Sequence, residues 1–98
     1  MAFAIFNISH VILTILKIDL IDMRARPDGE YCWIAHARDH FTRFSWAKPM
    51  KSKEAKNVAS FLFEIFMTFG VPRILHSDNG KEFVAQIIKN LIALYLKL

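Results

Sequence analysis

The 98-residue sequence contains a single cysteine, Cys32. One thiol excludes an intramolecular disulfide, so we expect a protein of a reducing compartment. The four histidines and Cys32 also lack the paired spacing of a zinc site. Cys32 lies in an apolar stretch, and we interpret it as a small core residue rather than a nucleophile, which would need a neighbouring base.

A hydrophobic run long enough to cross a bilayer is also missing. Residues 2–16 carry no charged side chain, but they fall short of the roughly 20 apolar residues that a membrane-spanning helix requires. Asn7, Ser9, His10 and Thr14 interrupt the run, and no basic segment or small-residue cleavage site accompanies it. We predict a buried strand or helix for this apolar extension and an intracellular location, nuclear or cytoplasmic. A cleaved signal or membrane anchor is the alternative.

Acidic residues are scarce relative to basic ones: nine Asp and Glu face 13 Lys and Arg, for a formal net charge of +4. This excess is compatible with nucleic-acid binding but does not establish it, since basic side chains also keep a hydrophobic small protein soluble. Many of them, Arg38 and Lys56 included, cluster in the middle of the chain, where they either contact phosphates or form a solvated face. The candidate nucleic-acid contacts are Arg24, Arg26, Arg43, Lys48, Lys51, Lys53 and Lys81. We expect no small-molecule substrate.

Apolar side chains are plentiful, because hydrophobic residues make up 54% and aromatic residues 13% of the sequence. This composition excludes disorder, and the length allows one domain. Alternating or continuous apolar patterns predict strands over residues 18–23, 31–37 and 42–47, which short turns join into an antiparallel meander. Pro49 is expected to end this unit.

A helical period follows from Ser52, the predicted N-cap, to Phe69, with Gly70 just after it. Its apolar stripe leaves Phe61, Phe63 and Met67 on another side, which is either a second buried face or a surface for a homo-oligomer. Residues 73–77 form a short predicted strand and residues 83–98 a second helix. The intervening helix favours a fourth strand parallel to the meander, and thus an α/β fold.

Two carboxylates stand out by position. Asp19 lies in the first predicted strand of the meander and Asp78 directly follows the fourth, so the two converge if those strands are neighbours. Converging acids repel unless a cation neutralises them. Ion pairing or capping is the other interpretation of such acids. His76, two residues before Asp78, points to the same face and is either a base or a structural histidine.

The sequence around Asp78 is more informative than the spacing of the two aspartates. Residues 74–83, ILHSDNGKEF, resemble the second-aspartate motif of the integrase catalytic core of retroviruses and Gypsy-type LTR retrotransposons. Residues 18–20, 39–44 (DHFTRF) and 69–72 (FGVP) are similar to further segments of that family and keep its order. The resemblance runs from about residue 17 to residue 88, so we treat 1–16 as an extension and 17–98 as a partial core.

The resemblance implies an RNase H-like fold, DNA as partner and a role in DNA integration. In that family two aspartates and a glutamate hold two Mg²⁺ or Mn²⁺ ions for phosphodiester transfer. Asp19 and Asp78 match the two aspartates as catalytic metal ligands, with Asp22 as a less suitable alternative to Asp19. Asn79 and Gly80 are expected to shape the turn that presents Asp78, because Asn-Gly accepts left-handed backbone angles.

The sequence departs from the family at the third ligand. Glu82 is the only acid among residues 79–98, and in the family this glutamate is not a ligand. Leu16 and Lys17 also replace the aromatic residue and glutamine that usually precede the first aspartate. We therefore expect a core truncated before its third acid, with weak or absent metal binding, that is a non-catalytic DNA- or protein-binding remnant. A relic without activity and a small membrane-associated protein are the alternatives.

Overall fold

The structure is a computed structural model that describes the backbone of residues 2–5 and all atoms of residues 15–98. The described elements, in chain order, are β1 (Ala2–Ile5), β2 (Ile15–Asp22), β3 (Trp33–Asp39), β4 (Ser45–Met50), α1 (Ala55–Phe69), β5 (Ile74–Ser77) and α2 (Lys81–Leu96).

The described strands form one sheet in the order β1-β5-β2-β3-β4. Strands β2, β3 and β4 are antiparallel neighbours, and β5 pairs in parallel with β2. The predicted α/β fold, a meander extended by a parallel strand, is confirmed. Strand β1 adds an antiparallel neighbour to β5. The predicted strand in the apolar extension is thus seen at Ala2–Ile5 and again at Ile15 and Leu16, which open β2; residues 6–14 lie outside the described part of the chain.

The third strand of the meander begins three residues later than predicted, at Ser45, because the preceding residues form a tight turn. The Asp39 carboxylate accepts hydrogen bonds from the Thr42 backbone N–H at 3.0 Å and from its hydroxyl at 2.7 Å. The Arg43 N–H donates to the Asp39 carbonyl at 3.0 Å. Pro49 does not end the meander but lies inside β4, where an edge position tolerates the missing N–H.

The first helix also begins later than predicted, at Ala55, with Glu54 as N-cap. Ser52 is not the cap, because its hydroxyl accepts a hydrogen bond from the Asn57 side-chain amide at 2.7 Å. The predicted end is confirmed: Gly70 has a φ of 95° and donates its N–H to the Phe66 carbonyl. The second helix begins two residues earlier than predicted, at Lys81.

The hydrophobic core lies on one face of the sheet. Leu16 and Ile18 of β2 and Leu75 of β5 are buried there against Leu62 of α1 and Ile87 of α2. Since strand residues alternate between faces, the other face carries the odd-numbered residues of β2 and the even-numbered residues of β3 and β5. We call it the open face, because every described residue on it is at least partly exposed.

The residues outside the α1 stripe belong largely to the chain's own interior. Phe61 is only 4% exposed, and the Phe63 ring packs edge-on against Tyr95 at 5.0 Å between centroids. The expectation of a partner surface on α1 is therefore wrong for these two residues; they form the second buried side. Met67 is the member of this group that stays exposed, at 54%.

Within the described residues, neither helix combines the length and the apolarity that a transmembrane passage demands.

Replacing the fully buried Leu62 with alanine tests this core. The lost contacts and the resulting cavity are expected to lower the free energy of unfolding by about 2–5 kcal/mol. Urea unfolding followed by circular dichroism measures the change. The matched control, Ile92→Ala, removes a side chain that is 55% exposed and should lower it by less than about 1 kcal/mol. Equal losses in the two variants would contradict the burial of Leu62.

Candidate functional site

The two aspartates singled out in the sequence are neighbours in the sheet. Ile18 of β2 and Ser77 of β5 are the last residues of the parallel register, and Asp19 and Asp78 follow them directly. Adjacent strands lie about 4.8 Å apart, so the two residues stand side by side at the carboxyl end of β5. Asp19 is on the open face by alternation, and its register partner in the adjacent strand β3 is His36.

The Asp78 carboxylate is surrounded by basic side chains of the same face. The Lys17 ammonium lies 3.6 Å from Asp78 Oδ2, with both side chains about half exposed. His76 Nε2 lies 3.8 Å from Asp78 Oδ1, which is too long for a hydrogen bond. Among residues 15–98, His76 Nε2 has no hydrogen-bond partner. Asp78 is thus balanced by a resident cation, Lys17.

The turn after β5 fixes the position of Asp78. The buried Ser77 hydroxyl donates to Asn79 Oδ1 at 3.1 Å and accepts from the Asn79 backbone N–H at 3.2 Å. Gly80 has a φ of 98° and caps α2, in a region that strongly favours glycine. The sequence anticipated left-handed angles for Asn79 and Gly80; Gly80 takes a positive φ, whereas Asn79 acts through its side chain.

Asp22, the alternative to Asp19, belongs elsewhere. It lies an odd number of residues after Asp19 in the same strand, and therefore on the opposite side of the sheet. Its carboxylate pairs with the Arg24 guanidinium at 2.7 Å. These hydrogen bonds to Arg24 hold the pKa of Asp22 at about 2, below its usual value of 3.8, because they favour the charged form. Asp22 is not a partner of Asp78.

The donor set around Asp19 and Asp78 does not fit a two-metal centre. Across residues 15–98 no three His, Cys, Asp or Glu side chains come together as metal ligands. Glu82, in the first turn of α2, belongs to no such group within residues 15–98. The Lys17 ammonium further reduces the attraction of Asp78 for a hard cation, because like charges repel.

The candidate nucleic-acid contacts do not form a single patch. Arg24 and Lys53 both lie over the Trp33 ring, at 4.9 and 5.3 Å from its centroid. Lys48 pairs with Glu64 and Lys51 with Glu30, at 2.9 and 3.0 Å. Arg26 lies in the exposed turn after β2, and Lys81 opens α2. Arg43 lies in the turn between β3 and β4, at the other end of the meander from Arg24.

A basic cleft on the open face escaped the sequence analysis. It encloses about 440 Å³ and is lined by Ile15, Lys17, Arg38, His40, Arg43 and His76. Arg38 and Arg43 are the two of these that belong to the basic cluster identified in the sequence, whereas Lys17, His40 and His76 were not expected beside them. The alternation of β2 already places Lys17 on the same face as Asp19. The pairing of Lys17 in β2 with His76 in β5, however, joins residues far apart in sequence, and no local sequence pattern indicates it.

Comparison with known proteins gives consistent results. Residues 13–95 match the family model described as "Integrase core domain". The chain is 37% identical over 81% of its length to human KRAB-A domain-containing protein 2, and 40% identical over 80% of its length to the Gag-Pol polyprotein of feline leukemia virus. It is 39% identical over 56% of its length to a transposon-derived protein of Caenorhabditis elegans. It spans 16%, 5% and 20% of these relatives, respectively.

The pairing of Asp22 with Arg24 predicts a measurable pH dependence. In an NMR titration Asp22 should show a pKa of about 2, and Arg24→Gln should return it toward 3.8. Because the folded-state pKa is lowered, the pair stabilises the fold above pH 3.8 and loses this contribution as the pH falls from 3.8 to about 2. The control Arg73→Gln changes an arginine outside this pair and should leave the Asp22 titration unchanged. An Asp22 pKa near 3.8 in the unmodified chain would contradict the pairing.

Proposed function

This chain belongs to the integrase core domain family, and from that premise we propose that it binds DNA but does not by itself catalyse strand transfer. The family's general role is DNA integration. The observation that carries the non-catalytic part of the proposal is the isolated pair Asp19 and Asp78, which no third carboxylate of residues 15–98 joins. Transfer by two metal ions requires ligands that hold both ions at once, and one pair of aspartates beside a lysine is insufficient.

The DNA-binding part of the proposal is supported by the charge distribution. The basic side chains that are exposed and form no ion pair with residues 15–98 include Arg26, Arg38, Arg43 and Lys81. Unpaired cations can neutralise phosphates without first giving up an intramolecular partner. The chain's net charge of +4 also favours association with a polyanion such as DNA.

The non-catalytic proposal predicts no strand-transfer product. Purified chain, a labelled DNA end and a target plasmid would be incubated with Mn²⁺ or with Mg²⁺ and resolved on a gel. An active integrase of the family shows that the assay works. Product that forms with this chain and disappears in Asp78→Ala would overturn the proposal, since it would show that the Asp19 and Asp78 pair suffices.

The DNA-binding proposal predicts a steep salt dependence of affinity for a fluorescent duplex. If about three phosphates are neutralised, the affinity should fall about 40-fold between about 50 and 200 mM salt, because bound counterions are released. Fluorescence anisotropy measures the dissociation constant at each concentration. Sucrose at the same osmolality is the control and should have no such effect. Absence of binding at low salt, or binding that salt leaves unchanged, would contradict the proposal.

A further inference from the structure

Three basic side chains face one another across adjacent strands of the open face. Lys17 of β2 pairs in register with Arg38 of β3 on one side and with His76 of β5 on the other. We call these three residues the basic row. Like charges directly opposite each other in a sheet are destabilising, so the Lys17–Arg38 pair is an unfavourable arrangement unless an anion lies over it.

The counter-charge available in the described structure is small. Lys17 contacts Asp78 at 3.6 Å, while Arg38 and Arg43 form no ion pair with residues 15–98. Arg43 enters the cleft from the turn after β3 and completes its wall beside the basic row. The cleft therefore brings three permanent cations to one concave surface, with the Asp19 and Asp78 carboxylates beside it and the buried Asp39 carboxylate in the turn that holds Arg43.

Arg43 is held there in an unusual backbone conformation. Its φ is 65°, and it is the one non-glycine residue of the described chain with a positive φ. Residues other than glycine, asparagine and aspartate are disfavoured in this region. The Arg43 backbone is held there because its N–H donates a hydrogen bond to the Asp39 carbonyl. Residues held in such conformations are concentrated at ligand-binding sites.

Lys17 links this cleft to the aspartate pair. Its ammonium lies beside the Asp78 carboxylate. Without Lys17, a divalent cation would be needed in this place for a phosphate to approach the two acids, because like charges repel. A lysine in that place neutralises Asp78 in part and still has donors for an anion, because an ammonium carries three. The face can thus accept a phosphate beside Asp78 through its own side chains.

We propose that the cleft binds a phosphodiester group of a DNA strand directly through Lys17, Arg38 and Arg43, without a bridging divalent metal. This inference rests on the proposed DNA-binding function and specifies its site and its independence from metal. Arginine is suited to the contact because its planar guanidinium donates two parallel hydrogen bonds to phosphate oxygens. The His76 and His40 imidazoles line the same cleft.

The test is the binding of a fluorescent DNA oligonucleotide in EDTA and in Mg²⁺ at matched ionic strength. We expect affinities in the two buffers that agree within about twofold. Lys17→Gln, Arg38→Gln and Arg43→Gly should each weaken binding at least about fivefold and lower the salt slope by about 0.9. The matched control Lys97→Gln removes an equal charge at the end of α2 and should change binding by less than about twofold.

Two further readouts separate binding from folding and from metal effects. Arg43→Gly relieves the positive φ, so its thermal midpoint should stay unchanged or rise while its DNA affinity falls. Lys17→Gln should bind Mn²⁺ about two- to fivefold more tightly in a spin-resonance titration, the range expected on losing one exposed ion pair. Unchanged Mn²⁺ affinity would overturn the role of Lys17 as the resident cation.

The outcomes distinguish the two proposals. If the unmodified chain binds no DNA in either buffer, the proposed function fails and this inference fails with it. If the chain binds DNA with a steep salt dependence but the three cleft variants behave as Lys97→Gln does, the inference alone is wrong. Binding that requires Mg²⁺ and disappears in EDTA would likewise overturn the direct contact while leaving DNA binding intact.

Discussion

The parallel pairing of β5 with β2 is the constraint on which the functional face depends. Its register, Ile18 opposite Ser77, places Asp78 beside Asp19 and His76 beside Lys17 at the same time. Because the side-chain period of a strand is two, a slip of one residue would turn Leu75 toward the open face and His76 into the core. The burial of Leu75 between Leu16 and the helices therefore fixes the chemistry of the opposite surface.

The same pairing divides the sheet into two faces with different tasks. One face is apolar and is covered by α1 and α2, which supplies the burial that holds the short strands together. The other carries an acidic pair next to a basic row, among isoleucines such as Ile34 and Ile74. Lys17 beside Asp78 partly neutralises this acidic pair.

The sequence predicted the elements well, because their signals are local. The alternation around Asp19, the helical stripe from Ala55 to Phe66 and the Asn79-Gly80 turn all lie within a few residues of each other. The boundaries that were wrong depended on side-chain hydrogen bonds that no pattern records: Asp39 with Thr42, and Ser52 with Asn57. The aspartate pair was predictable from motif order, whereas the basic cleft was not, since it joins residues of three elements through sheet register.

The proline in β4 has a consequence for assembly. Strand β4 is the outermost strand at its side of the sheet, and an outer strand with a full set of free backbone groups invites another chain to pair with it. Pro49 offers no N–H, and Lys48, next to it, is charged. Both features are known protections against such pairing. Growth of the sheet from molecule to molecule is thereby disfavoured at this edge, while β1 forms the opposite edge of the sheet.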